Sequence, residues 1–368
     1  MPGVRQIASR LRGFRPWHGL SDHTSLEQTG TARRERRRGV STEFPDEHSI
    51  CTALALAIRA PSVRNSQPWR WKVGPQSLHL YSDPDRHRPR TDLDRDLIIS
   101  CGATLHHCVV GLAVQDWGSR VHRFPDPADT NHVAAIELYP SRAADLDIVL
   151  AAAIPRRRAD RRVYSCWPVP VADIALMAAR AARLGVMLRR VEAVSWLNEI
   201  VAQAVWHYPN DDDDLGELGV SSGRHGSAEG VPAQNAPAPE ATAPGSGRVF
   251  ARPAVAQPAN VAPGDEVAMV VALGTEADDQ LAYLRAGEAT SLVLLTATAL
   301  GLACCPVTEP LEIGTTRERV SSEVFGGHGY PQMLLRIGRA PINADPLPPT
   351  PRRPLADVVS HLDGSPFG

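Results

Sequence analysis

Three strings in this chain carry most of its chemical possibilities. Arg156-Arg157-Arg158-Ala159-Asp160-Arg161-Arg162 runs into Val163-Tyr164, and a pair of arginines recurs in Pro351-Arg352-Arg353-Pro354-Leu355. Clustered guanidinium groups suit a phosphate, because each can donate two parallel charge-assisted hydrogen bonds; the same cluster on a surface is simply solvated charge. The third string is Ala60-Pro61-Ser62-Val63-Arg64-Asn65-Ser66-Gln67-Pro68-Trp69. Its Ser, Asn and Gln both donate and accept, and two prolines restrict the backbone, so it can read the edge of a heteroaromatic ring or serve as a polar turn. A fourth stretch, Gly301 to Pro310, contains Cys304-Cys305-Pro306-Val307-Thr308-Glu309 and reads as the end of an apolar helix.

Composition narrows the remaining chemistry. Lys72 is the single lysine among 39 Lys plus Arg, so the other 38 are arginine. A phosphate-gripping loop lysine or a Schiff-base lysine would have to be Lys72, whose neighbours Trp71 and Val73 are strand-like. An anion held by this chain is therefore held by arginine, although Ala and Pro are also abundant and base composition alone raises the arginine count. The net charge of -2 gives no support for nucleic-acid binding by the whole chain. Six cysteines show no CxxC pair and fit a reduced, cytoplasmic protein. His106-His107-Cys108 lies in a helical pattern where neighbours point apart, which favours core packing over a metal site. The four-Asp run at 211–214 lacks the spaced ligands of a calcium loop. Neither GxSxG nor HExxH occurs, and Gly326-Gly327-His328-Gly329 lacks a strand-then-helix context. The uncharged run from Ala289 to Val307 is interrupted by hydroxyls and reads as a buried helix, with no membrane span implied.

The elements that must position these strings follow from periodicity. Residues 1–40 form a basic tail expected to be disordered, with translation from near Val40 as a second reading. A first half at 41–150 begins with a helix over Asp46–Arg59, between Pro45 and Pro61. Strands are predicted at Trp69–Val73, Leu78–Tyr81 and Ala134–Tyr139, with a long helix over Leu97–Val114. A second half at 151–368 offers helices at Val171–Arg183, Trp196–Val205 and Leu284–Leu302, and strands at Gly185–Val191, Val267–Leu273 and Gln332–Ile337. Between about 209 and 263 the composition shifts to Pro, Ala and Gly, as in a mobile insertion. The order of elements repeats: the step from Cys101-Gly102 into one central helix parallels that from Ala286-Gly287 into the other. The halves differ at their loops, since Pro-Ser-x-x-Asn occurs only in the first and the dense arginine run only in the second.

Together these strings resemble the nitroreductase family of flavin enzymes, and within it the actinobacterial Acg-like group, in which two nitroreductase-like halves are fused. The resemblance spans about Thr42 to Val359. It implies an α+β fold with two fused halves forming an internal pseudo-dimer, able to be monomeric, with one FMN per chain and NAD(P)H as electron donor. The Arg-x-Ser-x-Lys-like string of the family falls on Arg158, Asp160 and Arg162, with Asp160 departing from the usual small hydroxyl. The partner-subunit loop falls on Pro61, Ser62 and Asn65, accompanied by Gln67 and Trp69. Pro306, Val307 and Thr308 fall at the flavin N5 edge, and Arg352 and Arg353 close on the phosphate. The implied reaction is hydride transfer from NAD(P)H to N5 and then to a nitro or quinone-like acceptor. No side-chain catalyst is required, and Arg162 would tune the ring electrostatically. A flavin-storing protein covered by the 209–263 segment, with little turnover, is the alternative; a pseudo-dimer that has lost its flavin is a third.

Overall fold

In the computed structural model, residues 44–86, 93–192, 196 and 267–367 are described. The basic tail, the 209–263 insertion and all but the first residue of the helix expected at Trp196–Val205 lie outside them.

The chain begins with helix α1 (Glu47–Ala57), started by the Asp46 carboxylate, which accepts from Ser49 N at 2.8 Å. Strands β1 (Trp69–Val73) and β2 (Ser77–Ser82) follow, then helix α2 (Leu93–Ala113) and strands β3 (Trp117–Arg123) and β4 (His132–Pro140). Strand alternation drives Trp69, Trp71 and Val73 of β1 inward and leaves Arg70 and Lys72 on the outer face. There the single lysine sits 4.6 Å from the Tyr81 ring centroid, far from any anion-binding role. Trp69, Trp71, Leu78 and Leu80 share one apolar cluster with Ile50 and Leu54 of α1 and Leu105 and Leu112 of α2.

Helices α3 (Asp145–Ala153) and α4 (Val171–Ala182) lead to β5 (Met187–Arg190). After the undescribed stretch come β6 (Met269–Thr275), α5 (Gln280–Ala299), β7 (Ala303–Val307), α6 (Glu309–Glu312), α7 (Gly314–Phe325), β8 (Tyr330–Gly338) and β9 (Val359–His361). The described strands form two sheets, ordered β3-β4-β2-β1-β9 and β5-β6-β8-β7. All pairings are antiparallel except β1 with β9, where Trp71 lies opposite Val359. The second sheet packs Val271, Leu273 and Leu335 against Met177 of α4 and Val293 of α5.

Between the two sheets α2 packs on α5. The contact is so close that a Cβ on Gly102 would overlap the Leu284 carbonyl oxygen, and one on Gly287 would overlap that of Ile99. The two glycines that mark the repeat in sequence are thus the point where the central helices cross. His106 and His107 of α2 share Ser291 of α5, at 2.7 and 2.8 Å from its Oγ. The tandem histidines therefore join the two helices.

Two sequence expectations change. The stretch from Gly301 to Pro310 is more than the end of a helix: α5 stops at Ala299, Gly301 turns the chain at φ 75°, and 303–307 forms β7 against β8. Strand β3 was not foreseen, because its residues are half-buried or exposed throughout and show no inward alternation.

Candidate functional site

One cavity gathers residues from four distant stretches: Pro61 to Asn65, then Arg157, Ala159 and Arg161, then Pro306, Thr308 and Glu309, and finally Thr350 and Arg352. Each reaches it for a local reason. The Pro61–Asn65 loop is held in a shape that ordinary residues resist, with Arg64, Asn65 and Gln67 at φ 55°, 56° and 52°. Its own side chains support that shape. Ser62 Oγ accepts from Gln67 N at 3.0 Å, Gln67 Nε2 donates to Asn65 O at 3.2 Å, and Ser100 Oγ accepts from Val63 N at 3.2 Å. From the other chain end, Arg353 N donates to Gln67 Oε1 at 2.9 Å and Asn65 Nδ2 donates to Pro351 O at 3.3 Å. An ion pair of 3.1 Å between Arg64 and Glu312 joins the loop to α6.

The side chains of the arginine run divide between two sides. Arg157, Ala159 and Arg161 face the cavity. Arg158, Asp160 and Arg162, the set implied by the family resemblance, face away. Arg158 donates to the carbonyls of Leu347, Pro155 and Arg157 at 3.1, 2.8 and 2.8 Å. Asp160 and Arg162 are buried and paired with each other at 2.8 Å. Residues at and just after the end of β7 divide in the same way. Pro306 and Thr308 line the cavity, whereas Val307 is buried in an apolar cluster with Leu311, Val320 and Leu334.

Of the residues singled out by sequence, the cavity thus unites Pro61, Ser62, Asn65, Pro306, Thr308 and Arg352. Gln67 and Trp69 are fully buried supports, and Arg353 is buried with its guanidinium donating to Asp357 O at 2.9 Å. Sequence reasoning missed Arg157 and Arg161. A signal was present: an Asp two residues before an Arg can pair with it, as Asp160 does with Arg162, which leaves Arg157 and Arg161 as the arginines at the cavity.

The wall is dominated by arginine, with Glu309 as the carboxylate among its lining residues. Arg157 and Arg352 reach the carbonyls just beyond α1, Arg59 O at 3.4 and 3.2 Å and, for Arg352, Ala60 O at 3.0 Å. These lie at the negative end of the helix. Arg59 and Arg158 stand behind them. Among the described residues none of the four forms an ion pair with a carboxylate. Burial, reinforced by Arg158, pulls Arg157 down to about 10. Burial, then Arg157, Arg59 and Arg158, hold Arg352 well below the usual guanidinium range. The Nε atoms of Arg59, Arg157 and Arg352 are buried and have no hydrogen-bond partner among the described residues. Buried donors and buried like charges are both costly, and a single dianion in the cavity would relieve both.

Two central helices between two sheets, with an anion-accepting cavity built from both ends of the chain, define an α+β protein of the two-sheet, helix-core class. No family model matches the chain. It is 61% identical over 321 residues to "Putative NAD(P)H nitroreductase Rv3131" of Mycobacterium tuberculosis H37Rv, covering 87% of this chain and 93% of that protein. It is 34% identical over 325 residues to "Putative NAD(P)H nitroreductase acg" of the same strain, covering 85% and 95%. A solved nitroreductase-like structure from Anabaena variabilis aligns over 92% of this chain and 99% of its own, at 10% identity and a TM-score of 0.45. The chain belongs to the nitroreductase family of these mycobacterial relatives, with Acg among them.

Proposed function

We propose that this protein is an FMN-binding oxidoreductase of the NAD(P)H nitroreductase type, with one flavin site per chain formed across an internal pseudo-dimer. The observation that carries the reading is the pair Arg157 and Arg352. Both flank one cavity, both present a buried Nε without a partner, and neither has a carboxylate counter-ion among the described residues. A phosphate monoester dianion fits that donor set, whereas a neutral ligand leaves the charge unopposed. The names of the relatives supply the electron donor class.

In this reading Arg157 and Arg352 hold the phosphate, with Arg161 beside them on the cavity wall. The Pro61–Asn65 loop, fixed by Gln67 and Arg353, supplies polar edges for the ring system. Pro306, in the strand held against β8, and Thr308 just beyond it close the opposite side. FMN when bound supplies the redox chemistry, accepting hydride from NAD(P)H and passing electrons to a nitro or quinone-like acceptor. The protein's part is to orient the cofactor and to oppose, with the positive charge of Arg161, the negative charge that reduction brings to the ring. All six cysteines are free, which supports a reducing, cytoplasmic setting.

The test is anaerobic mixing of the as-purified, yellow protein with NADPH or NADH. Bleaching of the flavin band, followed by its return on adding a nitroaromatic or quinone, is the expected result. A bound flavin that never bleaches overturns the reductase reading and leaves a flavin-storing protein.

A further inference from the structure

We propose that Asp160 is a positioning residue: it locks the arginine run in the one register that turns Arg157 and Arg161 toward the phosphate, without touching the ligand itself. The proposal rests on the phosphate-ester reading of the cavity.

The stretch from 157 to 161 belongs to no strand or helix, so no regular ladder decides which side each residue faces. Side chains decide it instead. Asp160 closes a ring onto Arg162, its Oδ1 accepting from Arg162 N at 3.1 Å and Nε at 3.0 Å, and its Oδ2 from Nη2 at 2.8 Å. The bond to Arg162 N closes an Asx turn and the bonds to its guanidinium hold that side chain against Asp160, away from the cavity that residues 157, 159 and 161 line. The Asp160 backbone is pinned at both ends. Its N–H donates to Cys304 O at 2.8 Å, and its carbonyl accepts from the Tyr164 hydroxyl at 2.6 Å. Arg336, buried in β8, donates to Arg162 O at 2.7 Å and lies 3.8 Å over the Tyr164 ring.

Two opposed effects of the Asp160 charge make the proposal testable. As a charge alone, Asp160 weakens the attraction of the site for an anion, so neutralising it would tighten binding. As a clamp, it aims two guanidinium groups, and neutralising it weakens binding even though the site becomes more positive. Geometry favours the clamp, because the carboxylate is saturated by Arg162 and faces away from the cavity.

The experiment compares FMN and riboflavin binding to the full-length, flavin-stripped protein by fluorescence quenching. The ratio of the two affinities isolates the phosphate. In Asp160→Asn the FMN Kd should rise about tenfold, the scale of one misplaced charge-assisted hydrogen bond, with riboflavin unchanged. In an Arg157→Ala, Arg161→Ala background the same change should cost less than about threefold, since the arginines it acts through are gone. Unchanged or tighter FMN binding in Asp160→Asn overturns the clamp, as does an equal loss for FMN and riboflavin, which marks general damage. If Asp160→Asn does not fold, Tyr164→Phe deletes only the hydroxyl bond to Asp160 O; a loss of FMN affinity without loss of riboflavin affinity supports the clamp, and no loss overturns it. A wild-type protein with no preference for FMN over riboflavin overturns the phosphate reading itself, a result separable from all of these.

Discussion

Arg352 and Arg353 are adjacent and identical in chemistry, yet the fold gives them different work. Arg352 lines the cavity, and Arg353 is buried under the Pro61–Asn65 loop, with its N–H on Gln67 Oε1 and its guanidinium on Asp357 O. Substituting them singly should therefore separate two phenotypes. Arg352→Ala is expected to weaken FMN binding tenfold to hundredfold, corresponding to about 1.5–3 kcal/mol for hydrogen bonds to a charged group, with little change in Tm. Arg353→Ala is expected to lower stability by about 1–3 kcal/mol through the groups it leaves unsatisfied, seen as a lower thermal midpoint before any flavin is added. Equal effects of the two on flavin affinity would contradict this division. The sequence made the arginine pair visible as a unit but could not separate its members, because the direction of a side chain in an irregular segment depends on partners far along the chain.

At the scale of elements, most helices and strands were legible wherever burial imposes a period. Strand β1 was predicted over the same residues it occupies, Trp69–Val73, because its alternation of Trp, Trp and Val against Arg and Lys is unambiguous. Strand β9 was not predicted: with three residues and a parallel partner, nothing in its own sequence announces it. The central helices were legible as apolar runs, and the parallel placement of Gly102 and Gly287 hinted at a repeat; that these glycines are the contact itself needed three dimensions. Gly287→Ala is expected to destabilise the protein by about 1–3 kcal/mol or more through overpacking against the Ile99 carbonyl. Chemical denaturation monitored by tryptophan fluorescence checks it, and a midpoint equal to wild type would show that the helices can part without cost.

For the whole molecule, the uneven distribution of arginine has a thermodynamic consequence. The cavity wall holds Arg157 buried and Arg352 half-buried, both without carboxylate counter-ions among the described residues, so the folded state without ligand carries a repulsion that any suitable oxyanion relieves. Phosphate or sulfate should therefore raise the thermal midpoint of the flavin-stripped protein, where chloride at equal ionic strength does not. Binding at a hundred times Kd contributes about 2.7 kcal/mol, enough for a shift of a few degrees, and Arg157→Ala should abolish it. An identical response to chloride and phosphate would place the effect in bulk screening.

The parallel pairing of β9 with β1 also bears on how the protein comes into being. It ties Val359 to Trp71, so the sheet under the Pro61–Asn65 loop acquires this strand only after the long intervening stretch has been synthesised. Thr350 and Arg352, on the approach to that strand, complete the cavity at the same late moment. The nascent first half can collapse around its tryptophans early, but it has no competent site to offer a cofactor until the far end of the chain returns to it. On the proposed reading of the cavity, cofactor capture follows this long-range contact, which by its sequence separation is costly to close.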